Sequence, residues 1–234
     1  MKCALNARLL SAAELVRQDA TFADIGTDHA YLPLFLLDEG RIRYAYCCDI
    51  NEGPLNSARR NAEERGRLSE MSFVLTDGAT VLSDKAVSDY AICGMGGELI
   101  ADIIDRAPHL KDGRINLILQ PMTRQEKLRS YLASSGFAVD CESYSFDAGK
   151  HYVCMRVRYT GECREISELE SIVGSPESEY LNDESRLAYL NSKLASLERA
   201  YKGKLEAAIE CEADLDTLNQ VKIHIENLVE RKTI

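Results

Sequence analysis

The sequence predicts an α/β fold. A mostly parallel sheet with helices on both faces is closed by an antiparallel hairpin and followed by a helical hairpin. Three observations carry this. Apolar strand-like runs alternate with amphipathic helical runs through residue 135, the pattern of βαβ units. Two further strand-like runs, 137–146 and 150–159, are separated only by Asp147, Ala148 and Gly149. No helix fits that gap, so the pair must be antiparallel. Beyond Gly161 the composition turns polar and acidic, with apolar residues at helical spacing.

Residues 5–18 read as an amphipathic helix, with Leu9, Leu10, Ala13 and Val16 on one face. Strands are expected near 21–26, 44–49, 71–76, 88–93 and 114–120, and helices near 31–39, 53–66, 96–107 and 124–135. Asn51 is placed to cap the helix over 53–66, Pro54 suits its first turn, and Gly66 stops it. After the linker-like "GSPESE", helical text begins at Tyr180. Leu187, Leu190, Leu194, Leu197 and Tyr201 make one apolar seam; Leu215, Leu218, Val221, Ile225 and Leu228 make another. Two such helices should pair as an antiparallel coiled coil, turning at Gly203 or around Cys211–Asp214. The expected division is a first domain over 1–160 and a helical coiled-coil domain over 161–234.

Bulk properties narrow the function. A chain of 234 residues with 45% hydrophobic content can bury a core. It shows no membrane span and no signal-like apolar stretch. The eight cysteines include no CxxC spacing. Cys47, Cys48, Cys93 and Cys154 fall in apolar strands and read as reduced core residues of a cytoplasmic protein, with no metal role. The net charge of −10 is uneven: residues 1–160 hold 19 Lys+Arg against 22 Asp+Glu, and 161–234 hold 9 against 16. Bulk charge therefore gives nucleic-acid binding no support, although the local cluster Arg59, Arg60, Arg65 and Arg67 is compatible with it.

The chemistry collects at strand ends. The first strand ends in Asp24-Ile25-Gly26, followed by Thr27, Asp28 and His29 where a phosphate-binding loop would carry glycines. Asp49 ends the second strand, 23 residues after Gly26, the place from which a carboxylate accepts hydrogen bonds from ribose hydroxyls. The third strand ends in Thr76-Asp77-Gly78 and the fourth in Gly94-Met95-Gly96-Gly97. In a parallel sheet ligands bind at these carboxyl ends. A pyrophosphate cofactor such as NAD needs bare backbone N–H groups and would be repelled by Asp28. S-adenosyl-L-methionine has no phosphate and carries a sulfonium and an ammonium, which suit Asp24 and Asp28. A parallel sheet finished by an antiparallel hairpin is also the Rossmann-like architecture of class I methyltransferases.

The stretches "ADIGTDHAYLPLFLL", "DINEGPLNSARRNAEERG", "LTDGATVL", "CGMGGELIADII", "LQPMTRQEKLRSYLASSGF" and "DAGKHYVCMRV" occur in this order. Together they resemble the bacterial tRNA (adenine(22)-N(1))-methyltransferase family over about residues 3–160, with GTDHAYLP and GMGG the most specific. The acidic helical tail resembles that family's C-terminal coiled coil more loosely. Two departures from the general methyltransferase pattern, a first motif reduced to Gly26 and Gly94-Met95-Gly96-Gly97 in place of a proline-containing tetrapeptide, are shared with the family.

The resemblance implies S-adenosyl-L-methionine as cofactor, tRNA as partner and N1 of an adenine as acceptor, without a metal or a membrane; a monomer is favoured. It implies that Asp24, Gly26, Thr27 and His29 hold the methionine end. Asp49 and Ile50 would take the ribose side, and Asp77 and Gly78 the adenine. Gly94 and Met95 would flank the methyl group, and Gly96 and Gly97 would let the target base approach. Asp28 is the candidate carboxylate beside that base, with helix capping as its alternative; Met95 has core packing as its alternative, and His29 a helix-start role. His151 reads as structural. Competing functions are a methyltransferase acting on another RNA, a small molecule or a protein, a non-catalytic cofactor- or RNA-binding module, and an NAD enzyme. The loop and the terminal hairpin disfavour the last.

Overall fold

The computed structural model describes residues 5–207, 209 and 211–231. The outermost residues of the two expected domains, 1–4 and 232–234, lie outside them. The chain runs α1 (Ala7–Leu15), β1 (Ala20–Ile25), α2 (Tyr31–Asp38), β2 (Ile42–Asp49), α3 (Glu52–Glu64), β3 (Met71–Leu75), β4 (Asp89–Gly96), α4 (Gly97–Asp105), β5 (Asn116–Thr123), α5 (Gln125–Ser134), β6 (Phe137–Asp147), β7 (Lys150–Tyr159), α6 (Glu168–Val173), β8 (Glu179–Leu181), α7 (Asp183–Glu206) and α8 (Glu212–Arg231). The α/β class and the terminal hairpin are as the sequence predicts.

All eight strands form one sheet in the order β3-β2-β1-β4-β5-β7-β6-β8. β3, β2, β1, β4 and β5 pair in parallel, while β7 is antiparallel to both β5 and β6. The chain leaves β3 at one edge and returns on the far side of β1, so the order reverses between β1 and β4. Such a reversal opens a crevice at the carboxyl ends of the strands. Alternate residues feed two cores. Phe22, Ala45, Ala91 and Ile118 pack under α1 and α2, and Ile25, Ile92, Leu119 and Met155 under α4 and α5. The strand cysteines Cys47, Cys48 and Cys154 are buried free thiols.

Three readings of the tail are corrected. First, α6 and β8 were not expected. β8 pairs in parallel with β6, and the Ser178 hydroxyl donates to the Val139 carbonyl, so residues 161–181 return to the sheet of the first domain. Second, Tyr180 belongs to β8; the helix starts at Asp183, where the Asn182 side chain accepts from the Ser185 N–H at 3.1 Å. Third, Gly203 lies inside α7, and the chain turns between Glu206 and Glu212. There Lys204 reaches Asp214 at 2.7 Å. One glycine in an exposed helix costs only about 1 kcal/mol, so it does not force a turn. The α8 seam is also displaced: Thr217, Val221 and Ile225 are buried, whereas Leu215 is exposed. Tyr189 and Leu190 join the core beneath α4 and α5.

A buried ion pair fastens this tail. Arg129 on α5 meets Glu142 on β6 at 2.8 Å, with both side chains almost fully buried. Arg129 also donates to the Ser171 and Ile172 carbonyls of α6, and the Tyr144 hydroxyl donates to Glu142. Gly174, at φ +92°, passes so close that a Cβ would lie 2.6 Å from Glu142 Oε2. Removing one partner of a buried pair strands the other charge. Arg129→Met should therefore destabilise the protein by about 3–5 kcal/mol, read by urea denaturation. The double variant Arg129→Met/Glu142→Leu should recover most of that loss.

Candidate active site

The crevice is built from the ends of β1, β2 and β4. At the end of β1 the chain turns sharply: the N–H groups of Gly26 and Thr27 both donate to the Cys48 carbonyl at 2.8 Å. Gly26 has φ +79°, and a Cβ on it would lie 2.2 Å from Met95 Cε. The positive φ requires the glycine, and the tip of the Met95 side chain, crossing from β4, takes the space a Cβ would fill. Met95 packs against the core cluster at the same time. The loop then rises through Asp28 and His29. Asp28 is 78% exposed, with Oδ2 3.5 Å from His29 Nε2. The His29 ring stacks on Tyr31 at 5.2 Å, and its carbonyl accepts from Asn61 Nδ2 at 3.0 Å. The residue that opens α2 is Ala30, in left-handed conformation at φ 56° with no side-chain cap. Asp28 therefore does not cap this helix, and the capping alternative falls.

Asp24 is the most perturbed acid here. It is buried, and among the described residues no cation pairs with it. Burial pushes its pKa up to about 6; the nearby Thr27 side chain pulls it down, and the charge of Asp49 pushes it further up. The Thr27 hydroxyl is close enough for that pull, yet it is buried without a well-formed hydrogen bond. A desolvated carboxyl and an orphaned hydroxyl together are what a cationic, hydrogen-bonding ligand would complete.

On β2 the Asp49 carboxylate is half-buried. Its Oδ1 accepts the Asn51 N–H at 2.8 Å; Oδ2 carries no protein hydrogen bond among the described residues. The adjacent Ile50 is 64% exposed, and Leu75, at the end of β3, 54%. Two bare apolar side chains beside a carboxylate suit a flat ring next to a sugar. Asp77 and Gly78, expected to meet that ring, follow in the turn after β3, where the Thr76 N–H donates to the Asp49 carbonyl at 2.9 Å. Asp77 gives both carboxylate oxygens to Arg106, at the far end of α4, which holds its pKa below the usual range. Gly78 packs on Ile103.

The end of β4 meets the end of β5. Gly94 has φ +79°, and its N–H donates to Gln120 Oε1 at 3.1 Å. Gln120 is fully buried and also accepts from Arg8 Nη1 at 2.7 Å. The Arg8 guanidinium lies 3.5 Å from where a Gly94 Cβ would sit. Arginines such as Arg17, Arg67 and Arg129 pair with carboxylates; Arg8 has none among the described residues and leans on a neutral amide. Gly96 lies beside Thr123 on β5. A Cβ on Gly97 would sit 2.4 Å from the Arg124 carbonyl, so Gly97 lets two strand–helix turns touch.

The ends of β1, β2 and β4 thus carry Asp24, Gly26, Thr27, Asp28, His29, Asp49, Ile50, Gly94, Met95, Gly96 and Gly97, with Asp77 and Gly78 in the adjoining turn after β3, where Asp77 pairs with Arg106. Sequence reasoning missed Arg8, Gln120 and Leu75. Gln120 did carry a signal, a polar side chain inside the apolar run of a central strand. Arg8 carried none, since an arginine in an amphipathic helix is ordinary.

A family model described as a methyltransferase domain matches residues 5–155. The tRNA (adenine(22)-N(1))-methyltransferase of Bacillus subtilis (strain 168) is 35% identical over 148 residues, 63% of this chain and 62% of that protein, so the match spans under two thirds of the relative's length. Among solved structures, M. capricolum TrmK in complex with S-adenosyl-homocysteine is similar with a TM-score of 0.77 at 27% identity, over 95% of this chain and 98% of that one. The B. subtilis m1A22 tRNA methyltransferase TrmK is similar with a TM-score of 0.72 at 26% identity, over 98% and 99%. A Rossmann-type sheet with an acidic crevice at its switch point and a family match across more than half its length lead to one assignment: the chain belongs to the methyltransferase domain family.

Proposed function

We propose that the protein transfers a methyl group from S-adenosyl-L-methionine to N1 of the adenine at position 22 of tRNA. The observation that carries the cofactor is Asp24, a desolvated carboxyl with no cation beside it and a pKa pushed up to about 6. With Asp28 and Asp49 it makes the crevice acidic, which repels a pyrophosphate and attracts an ammonium and a sulfonium. Asp49 Oδ2 is open to a ribose hydroxyl, Ile50 and Leu75 flank the adenine, and Thr27 and His29 line the methionine side. Arg8 is the cation placed to meet the cofactor's carboxylate. The acceptor is argued from the relatives, which are tRNA adenine-N1 methyltransferases. All these residues lie within 1–160; the segment 161–234 flanks them and limits how a tRNA approaches. Such an enzyme works in the cytoplasm, where tRNA is.

The cofactor supplies an electrophilic methyl group on a sulfonium. N1 of adenine has a free lone pair, so the protein need not remove a proton before attack; it must align the base and hold off water. Transfer moves positive charge onto the purine. Asp28, exposed at the crevice rim, offsets that charge or accepts an N6 proton. Gly96 and Gly97 leave the approach free of side chains.

Incubation of transcript tRNA with the enzyme and S-adenosyl-L-methionine should place the methyl group on adenine 22 alone, mapped by mass spectrometry. Asp28→Asn should lower the single-turnover rate while leaving cofactor affinity nearly intact.

Asp24 yields a prediction with opposite signs for stability and binding. Its folded pKa lies above the unfolded value of 3.8. Above pH 6 the ionised group is therefore destabilising, by about 3 kcal/mol, and this cost fades as pH falls toward 4. Asp24→Asn should raise the denaturation midpoint of the ligand-free protein at pH 8. The gain should shrink between pH 6 and pH 4, and calorimetry at pH 8 should show weaker cofactor binding.

A further inference from the structure

The β6–β7 turn lies on the catalytic side of the molecule. β7 runs antiparallel to β5, and β6 antiparallel to β7. The turn between them therefore sits at the same edge of the sheet as the carboxyl ends of β1, β4 and β5. At that tip Phe146 and His151 are direct cross-strand partners, with ring centroids 4.7 Å apart. Strand alternation puts both on the face that carries Tyr144 and Val153. Phe146 is 59% exposed.

One exposed Phe is common on protein surfaces. The surroundings single this one out. Lys150 closes the same turn and is exposed; Asp147 is its cross-strand neighbour, yet the two form no ion pair. Arg124, exposed, begins α5 in left-handed conformation at φ 58°. Its carbonyl presses on Gly97, so this conformation is fixed by the same contact that builds the crevice. Among the described residues neither Lys150 nor Arg124 has a carboxylate within ion-pair distance. Met122, at the end of β5, is also exposed. An exposed aromatic face at the same edge of the sheet as two cations that form no ion pair among the described residues is chemistry that holds an unpaired nucleobase and its phosphates.

Distance decides which base. β6 is three strands from β4, about 14 Å at ordinary strand spacing. That is too far for the ring whose N1 meets the methyl group at Gly94 and Met95. We infer that Phe146 and His151 form a stacking platform for an unpaired RNA base neighbouring the methylated adenine, with Lys150 and Arg124 meeting the adjoining backbone. This rests on the tRNA reading above. A base leaving its helix loses stacking; the platform returns part of that loss to its neighbour and holds the strand open.

The test uses the full chain and transcript tRNA. Phe146→Ala should raise the Kd for tRNA roughly 5- to 150-fold, the equivalent of about 1–3 kcal/mol of stacking. Affinity for S-adenosyl-L-methionine and the melting temperature should stay unchanged. Phe146→Trp should bind tRNA as the unaltered protein does. An abasic site at the platform-bound neighbour should remove the difference between Phe146 and Phe146→Ala. Unchanged tRNA affinity in Phe146→Ala overturns the platform, as does loss of binding in Phe146→Trp or a shift in oligomeric state that accompanies the loss. If the unaltered protein methylates no adenine in tRNA, it is the underlying function that fails, which separates the two.

Discussion

The organising constraint of this molecule is a carboxyl group kept dry at the centre of a parallel sheet. β1 lies between β2 and β4, and Asp24 is in register with Cys47 on one side and Ala91 on the other. Neither neighbour can neutralise it. Burial, and next the charge of Asp24, push up the pKa of the thiols of Cys47, Cys48 and Cys93, that of Cys48 to about 12. The thiols around Asp24 thus remain protonated, and among the described residues no cation pairs with the carboxyl. A fold that only needed stability would place an apolar residue there. The free energy given up at this one position is what leaves the crevice able to discriminate for positive charge.

The far end of the sheet solves a different problem. β6 would be an open edge, and edges invite pairing with other chains. β8 covers part of it, α6 backs it against α5, and Arg129 with Glu142 locks α5, β6 and α6 into one polar knot. Tyr189 of α7 packs at a tilt against Tyr144, ring centroids 5.1 Å apart, beside that knot. Lys193 of α7 then donates to Gln125 Oε1 at 2.7 Å, Gln125 donates to the Pro121 carbonyl, and Gln120 donates to the same carbonyl. The helical hairpin is therefore tied through α5 to the strand end that holds Gly94.

Most of this fold was legible because alternation of apolar runs is a long-range signal repeated many times. From β1 through β7, every expected strand and helix lies within a few residues of its observed place. What escaped was short or set by tertiary contact. α6 and β8 are six and three residues long, too brief for a periodic signal, and β8 exists only because β6 offers it an edge. Gly203 carried a real local preference, overridden because α7 gains more by continuing to Glu206. The same logic holds at the site. Asp24, Gly26 and Asp49 were legible because strand-end position and residue type both pointed to a ligand. Asp77 shared those features; its ion pair with Arg106 was not legible, because the partner lies 29 positions away in sequence. Gln120 stood out only as a polar side chain in an apolar run, and Arg8 was invisible, because their meaning lies in one another: a buried amide meets a guanidinium that arrives from a helix 112 positions away in sequence.

Two non-glycine residues in left-handed conformation, Ala30 and Arg124, open α2 and α5 at the rim of the crevice. Such residues persist only where their surroundings over-determine them. Ala30 is held by full burial of its side chain, and Arg124 by the contact of its carbonyl with Gly97. They mark two halves of one site. On the β1–β2 side lie acids and bare apolar edges, which suit a cationic nucleoside. On the β5–β7 side lie Arg124, Lys150 and an exposed aromatic pair, which suit a polyanion carrying flat bases. The halves meet where the strand order reverses, and there Met95 spans the gap to Gly26. There the backbones of β1 and β4 both turn through glycines at positive φ, Gly26 and Gly94, and the tip of the Met95 side chain takes the space that a Cβ on Gly26 would fill.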